Sequence, residues 1–249
     1  MPDRPTVGPS EAIDFDPTRL SLERYDAVIF DLDGVLTDTA RTHFHAWKTT
    51  FDDLLASAHP PQRPFERGDY LDFVDGKPRD QGILSFLRSR DIDATTDLVE
   101  TLAAEKNSRY LTRLHAGEVE LIDGAADLLE QLILKGLRTG LVSSSRNAAA
   151  VLQAVDLLDH FDVRVDGTAL DRDDLHGKPD LFLEAARQLG SIPQLVVVIE
   201  DAISGVRAAR AGDFGLIIGL ADAPHRRQDL IEAGADLAVS SLTTLLTRH

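Results

Sequence analysis

The run Leu195-Val196-Val197-Val198-Ile199 carries no polar side chain at any position. A strand with one face in water alternates apolar and polar residues, so a run that does not alternate must be covered on both faces. Shorter β-rich runs recur at 27–30, 137–142, 163–165, 216–218 and 237–239, and amphipathic stretches such as 125–135, 180–189 and 203–211 separate them. Strand–helix alternation of this kind requires right-handed crossovers. It predicts an α/β chain folded around an open, doubly wound parallel sheet.

The alternation is broken once. About one hundred residues lie between the first two runs, far more than one crossover helix needs, and the stretches 40–56, 77–90 and 96–115 within them read as helical. The prediction is a Rossmann-like core with a small all-helical cap domain inserted after the first strand. Such a cap would sit over the carboxyl ends of the strands, where ligands bind in open sheets. The expected division is an N-terminal extension at 1–24, a core at 25–41 and 118–249, and a cap at 42–117.

The chain carries 26 Lys and Arg against 42 Asp and Glu, a formal net charge of −16. A surface this acidic repels a phosphate backbone or an anionic bilayer, so neither nucleic acid nor membrane is an expected partner. A small anionic ligand remains compatible, provided Lys and Arg gather around it. The absence of Cys excludes disulfides and thiolate metal sites and suits a reducing cytoplasm. No apolar run approaches the roughly 18 residues of a membrane span. Residues 1–24 lack the basic and apolar regions of a secretory signal.

Chemistry gathers at the strand ends. The first run ends in Asp31-Leu32-Asp33-Gly34-Val35-Leu36-Thr37-Asp38-Thr39. Alternation points Asp31 and Asp33 the same way, and Gly34 allows a sharp turn behind them. Two such carboxylates can hold a hard cation, attack phosphorus or move a proton; alone, they are equally a polar strand end. A second motif, Leu141-Val142-Ser143-Ser144-Ser145-Arg146-Asn147, offers hydroxyls and helix-start N–H groups to a phosphoryl group, although in isolation it would be an N-cap. The third, Gly177-Lys178-Pro179-Asp180, puts Lys178 at the first turn of a helix, within reach of phosphate or of the carboxylates. The fourth is Val198-Ile199-Glu200-Asp201. Acidic residues directly after the most buried strand are costly unless paired or metal-bound, and with Asp31 and Asp33 they form an oxygen-only set that suits Mg2+. Asp201 alone could simply cap the next helix.

The order of these four motifs at successive strand ends resembles the haloacid dehalogenase superfamily, Mg2+-dependent phosphotransferases that work through an aspartyl-phosphate, from about residue 25 to the C-terminus. The resemblance implies Asp31 as nucleophile and Asp33 as general acid and base. It implies Mg2+ held by the Asp31 carboxylate, the Asp33 carbonyl, Asp201 and Glu200, with Ser143 and Lys178 offsetting charge on the transferring group.

The inserted segment narrows the resemblance. Thr39-Ala40-Arg41-Thr42-His43-Phe44-His45-Ala46-Trp47-Lys48 is similar to the opening of the cap in the β-phosphoglucomutase-like subfamily. That similarity implies His43 as the hinge residue coupling cap closure to Asp33, with Trp47 beside it; the plainer alternative is that the two pack the hinge. Val74-Asp75-Gly76-Lys77-Pro78-Arg79-Asp80 matches Gly76 and Arg79 to positions lining the sugar-phosphate site, and Glu105-Lys106-Asn107-Ser108-Arg109-Tyr110, similar to a cap-helix Lys-Asn pair near the substrate, makes Lys106 and Asn107 candidates. Ser144, Arg146 and Asn147 complete the expected substrate-binding set. The chain departs from the subfamily at Arg146, where Lys is common, and at Lys77, Pro78 and Gly82, where hydroxyl-bearing residues are usual.

The implied activity is that of a β-phosphoglucomutase, acting as a monomer on a small-molecule sugar phosphate. It would interconvert β-D-glucose 1-phosphate and glucose 6-phosphate through an aspartyl-phosphate and glucose 1,6-bisphosphate. A sugar-phosphate phosphatase, with the same site and a cap that admits water, is the alternative. A non-catalytic binding protein on this fold is a third, and the intact set of Asp31, Asp33, Lys178 and Asp201 speaks against it.

Overall fold

All six β-rich runs form strands in the computed structural model of the protein, which describes residues 24–58, 60, 62–75, 77–172, 174, 175 and 177–246. The chain enters through β1 (Ala27–Asp31) and leaves the sheet through a two-residue strand, β2 (Thr37–Asp38). It then builds α1 (Ala40–Ser57), α2 (Arg67–Asp69), a π-helical turn over Tyr70–Val74, α3 (Arg79–Ser89) and α4 (Thr96–His115), and returns by β3 (Glu120–Leu121). The remainder runs α5 (Ala125–Leu134), β4 (Arg138–Val142), α6 (Ala148–Ala154), β5 (Val163–Val165), α7 (Lys178–Gln188), β6 (Val196–Glu200), α8 (Ile203–Ala211), β7 (Leu216–Leu220), α9 (Pro224–Ala233) and β8 (Leu237–Val239).

The main sheet is parallel throughout and ordered β5-β4-β1-β6-β7-β8. The chain therefore builds outward from β1 in one direction, then starts again beside β1 in the other. The reversal between β1 and β6 is a topological switch point, where loops diverge and leave a crevice at the carboxyl ends of the strands. Both faces are covered, as the unbroken apolar runs require. Val28 and Phe30 join Leu129, Leu132, Leu141 and Leu152 on one side. Ala27 and Ile29 join Leu181, Phe182, Val198 and Ile217 on the other.

The inserted helices have an apolar cluster of their own. Trp47 and Phe51 on α1 meet Phe65 and, on α3, Phe86, with the Phe51 and Phe86 rings 4.1 Å apart. Two strands of backbone join this unit to the sheet. Thr37 pairs with Leu121 and Asp38 with Glu120, while the Ile122 N–H donates to the Leu36 carbonyl at 2.9 Å. The Thr42 hydroxyl donates to the Glu118 carbonyl across the same seam. Among the described residues no helix is long and apolar enough to cross a membrane.

Several elements differ from the sequence-based expectation. The strand expected at 195–199 is displaced by one residue, because Leu195 closes a 3-10 turn over Pro193–Leu195, and Glu200 becomes the last rung of β6, opposite Gly219. Asp201 caps nothing: the N-cap of α8 is Ala202, whose N–H donates to Glu200 Oε2 at 2.6 Å. The ribbon β2–β3, α9 and the turns over 67–74 were not anticipated, and α6 was expected only as a helix start after the Ser143–Asn147 motif. Of the expected N-terminal extension, residues 1–23 lie outside the described residues, as does Gly76.

Candidate active site

Register at the switch point sets the centre of the site. Phe30 of β1 lies opposite Ile199 of β6, so Asp31 and Glu200, one residue further on, are neighbours at the strand ends. Asp31 is 5% exposed and Glu200 0%. Lys178, at the start of α7, donates to Asp31 Oδ1 at 2.7 Å and also to Glu200 Oε1. Burial would lower the Lys178 ammonium, but the Asp31 and Glu200 carboxylates hold it well above the usual lysine range. Asp31 goes the other way. Burial raises its carboxyl, and Glu200, Asp201 and Asp33 add to that while Lys178 opposes it.

Asp201 stands at about 7, pushed up by burial and then by Glu200. Its side chain lies against Gly34, whose φ of +90° and whose lack of a Cβ, which would collide with the Asp201 carboxylate, both demand glycine. Ser143, directly after β4, is buried, and its Oγ accepts from the Ser145 N–H at 3.0 Å. Its hydroxyl proton therefore stays available to a ligand at the strand ends.

Asp33 lies just beyond β1 and is met from the inserted unit. Thr39 Oγ1 donates to Asp33 Oδ1, and His43 Nε2 stands 4.0 Å from the same oxygen. Behind His43, Lys106 Nζ lies 2.8 Å from Nδ1. An ammonium can only donate, so with Lys106 charged Nδ1 accepts and the ring proton is on Nε2, facing Asp33. Burial, then the charges of Lys106 and Arg79, keep His43 well below its ordinary pKa and hence neutral. Lys106 is itself lowered to about 7 by burial and by Arg79. Its Nζ sits 5.1 Å over Trp47 and 4.6 Å over Tyr110, which offsets part of the cost of burying it.

Arg79, on α3, donates from Nη2 to Asn107 Oδ1 at 3.0 Å, and Asn147, after β4, donates from Nδ2 to the same oxygen at 2.8 Å. One carboxamide thus ties the inserted helices to the core. Two of the expected binding residues are placed differently. Arg146 turns outward into a two-point ion pair with Asp171 at 2.8 and 2.7 Å, a carboxylate the neighbouring loop places beside it. Trp47 is 4% exposed and stacked on Phe51, so it forms the wall behind Lys106 rather than a face for ligand. Ser144 is exposed on the loop. Sequence reasoning missed Thr39, although it stands in the first motif, and Tyr110, whose ring stacks on His43 with centroids 4.2 Å apart.

The donor set suits a hard divalent cation. One oxygen each from Asp31, Glu200 and Asp201 lie within 4.8 Å of one another, and the Asp31 and Asp201 carboxyls are raised first by burial and then by their carboxylate neighbours, which Lys178 only partly opposes. Both Glu200 oxygens already accept hydrogen bonds, whereas among the described residues none is made to the Asp201 carboxylate.

An open parallel sheet with carboxylates at its switch point, beneath a helical lid, defines a carboxylate-centred α/β enzyme. The chain belongs to the haloacid dehalogenase-like hydrolase family, whose model matches residues 25–213. It is similar to a β-phosphoglucomutase of Mycobacterium bovis, 39% identical over 242 residues, which span 90% of this chain and 92% of that one. It is also similar to a phosphorylated carbohydrates phosphatase of Thermotoga maritima, 29% identical over 84% of this chain and 92% of the relative. The crystal structure of a β-phosphoglucomutase from Clostridium difficile superposes with a TM-score of 0.73 at 27% identity, covering 89% of this chain and 93% of that one.

Proposed function

We propose that the protein is a β-phosphoglucomutase, interconverting β-D-glucose 1-phosphate and glucose 6-phosphate, with residues 42–117 serving as the cap over a core of 25–41 and 118–249. The observation that carries this reading is the double tie across the cleft. His43 faces Asp33 from the cap, and Asn107 is held jointly by Arg79 and Asn147. A mutase must keep water from its phosphoenzyme, and a cap tied to the core at both ends of the site is positioned to close over it.

In this reading the Asp31 carboxylate attacks the phosphorus of a phosphorylated sugar, and the bond from phosphorus to the leaving oxygen breaks as Asp33 protonates that oxygen. The return step runs in reverse: Asp33 takes the proton of a sugar hydroxyl, which attacks the phosphoryl group on Asp31. Alternate use of the C1 and C6 oxygens passes through glucose 1,6-bisphosphate. Lys178 and the Ser143 hydroxyl oppose the charge on the transferring group. Mg2+, held by Asp31, Asp201 and the Asp33 carbonyl with Glu200 alongside, would supply further charge neutralisation there. Arg79 takes the phosphate that is not reacting, so that remote binding energy lowers the barrier at the reacting one. Every residue in this scheme comes from one chain, which fits a monomeric working unit.

The test supplies Mg2+, β-glucose 1-phosphate and a trace of glucose 1,6-bisphosphate and follows glucose 6-phosphate and inorganic phosphate together. Glucose 6-phosphate in large excess is the expected result. Inorganic phosphate in excess, with no need of the bisphosphate, would make the protein a sugar-phosphate phosphatase, the activity carried by the Thermotoga maritima relative's description.

A further inference from the structure

Tyr110 on α4 is 0% exposed, and its hydroxyl is buried without a hydrogen-bond partner. The ring is well held, stacked on His43 at an interplanar angle of 25° with the Lys106 ammonium 4.6 Å over its centroid. The hydroxyl is the one part of the side chain left unpaired. A buried donor of this kind is unfavourable unless another state of the molecule satisfies it. The groups around it are the Asp33 carboxylate, the Thr39 hydroxyl, which is near enough to act on the phenol as a hydrogen-bonding group although not in bonding geometry, and Tyr70. Burial, then the Asp33 charge, push the phenol far above its ordinary pKa, so the group is a donor and never a phenolate.

Thr39 is placed to receive it. Its Oγ1 proton is committed to Asp33 Oδ1, and its carbonyl accepts from the His43 N–H at 2.8 Å, which pins the residue at the start of α1. A hydroxyl that has given its proton keeps two lone pairs and can be joined only by a donor. We propose that Tyr110 is a positioning residue for Asp33: when the cap settles on substrate, the Tyr110 hydroxyl donates to Thr39 Oγ1 and completes a chain from Tyr110 through Thr39 to Asp33. Hydrogen bonds in such a chain strengthen one another, and the chain holds the Asp33 carboxyl toward the sugar oxygen. Because Tyr110 belongs to the cap and Asp33 to the core, acid–base geometry is completed only on closure. The inference rests on the acid–base role proposed for Asp33.

Tyr110→Phe tests it, since the ring, the His43 stack and the contact with Lys106 all survive and only the hydroxyl is lost. The melting temperature of the free protein is expected to stay the same or rise, because no bond is broken there. For β-glucose 1-phosphate, kcat is expected to fall about tenfold with KM within about twofold, turnover being counted as glucose 6-phosphate plus inorganic phosphate. Phosphorylation of Asp31 by acetyl phosphate, whose acetate leaves without a proton, keeps its rate. A Thr39→Val, Tyr110→Phe double variant is no slower than Thr39→Val alone. An unchanged kcat, an equal loss with acetyl phosphate, or losses that multiply in the double variant would each overturn the role of Tyr110. Full turnover by Asp33→Asn would overturn the acid–base reading beneath it. Counting both products separates either result from failure of the mutase assignment.

Discussion

Lys106 holds an ammonium among the rings of Trp47 and Tyr110 while only 3% exposed, and among the described residues its hydrogen-bond partner is a neutral imidazole. Burial lowers its pKa from 10.5 to about 7. The unfolded chain therefore binds more protons than the native one between those values. The cost of keeping Lys106 inside is full below pH 7 and is relieved as pH climbs toward 10.5. Lys106→Met should accordingly be the more stable protein by roughly 1–3 kcal/mol at mildly acidic pH, with the gap closing as pH rises; denaturant titrations of both proteins at pH 6.5 and 9.5 would measure it. The same substitution removes the support behind His43 and should lower turnover, so stability and activity are expected to move in opposite directions. Asp31 allows a simpler expectation. Asp31→Asn keeps the volume and the Lys178 contact but not the nucleophile, and phosphoryl transfer should become undetectable in a coupled glucose 6-phosphate assay. Near-normal turnover would end the aspartyl-phosphate mechanism.

At the scale of elements, α3 and α4 bring Arg79 and Asn107 to the cleft, and the loop into α6 brings Asn147 to meet them. A charged hydrogen bond to phosphate contributes roughly 1.5–3 kcal/mol, so Arg79→Ala should raise KM for a sugar phosphate by about 10–100-fold while phosphorylation of Asp31 by a small donor is much less affected. Equal losses with both substrates would place Arg79 outside the substrate site. The helices α1 and α4 were legible from their long amphipathic repeats, and β1 and β6 from unbroken apolar runs. In contrast, α9 fully buries only Leu230, with Ile231 and Ala233 partly covered and the rest of the helix largely polar, so no continuous apolar stripe announces it. The two-residue strands of the hinge ribbon are too short for any period, and only the pairing of Thr37 with Leu121 creates them.

For the molecule as a whole, the sheet's reversal beside β1 concentrates acidic charge in one crevice. A divalent cation that neutralises it stabilises the native state in proportion to its binding. Adding Mg2+ should raise the melting temperature by several degrees, removing it with chelator should abolish turnover, and Asp201→Ala should lose both responses while remaining folded. An Asp201→Ala protein that still gained full stability from Mg2+ would exclude Asp201 as a ligand. The same crevice must admit an anion although the chain carries a net charge of −16. Arg79, Lys106 and Lys178 around the cleft provide the local attraction that the overall balance lacks.

The local code determined the class of fold and the nucleophilic end of the site. An apolar run must be covered on both faces, a parallel sheet must be wound one way, and the polar residues Asp31, Asp33, Ser143, Lys178, Glu200 and Asp201 then fall at or beyond the strand ends. What only the tertiary structure decided is which side chains meet across the hinge. Whether Arg146 faces the cleft or Asp171, whether Trp47 is a wall or a contact surface, and which ring backs His43 depend on rigid-body packing of the inserted helices against the core. Thr39 and Tyr110 are far apart in the chain, and although both lie within motifs, neither is marked there as a partner of the other. They became candidates because burial left one hydroxyl without a partner beside another already committed to Asp33. Such a relation exists in three dimensions and has no trace in periodicity or spacing.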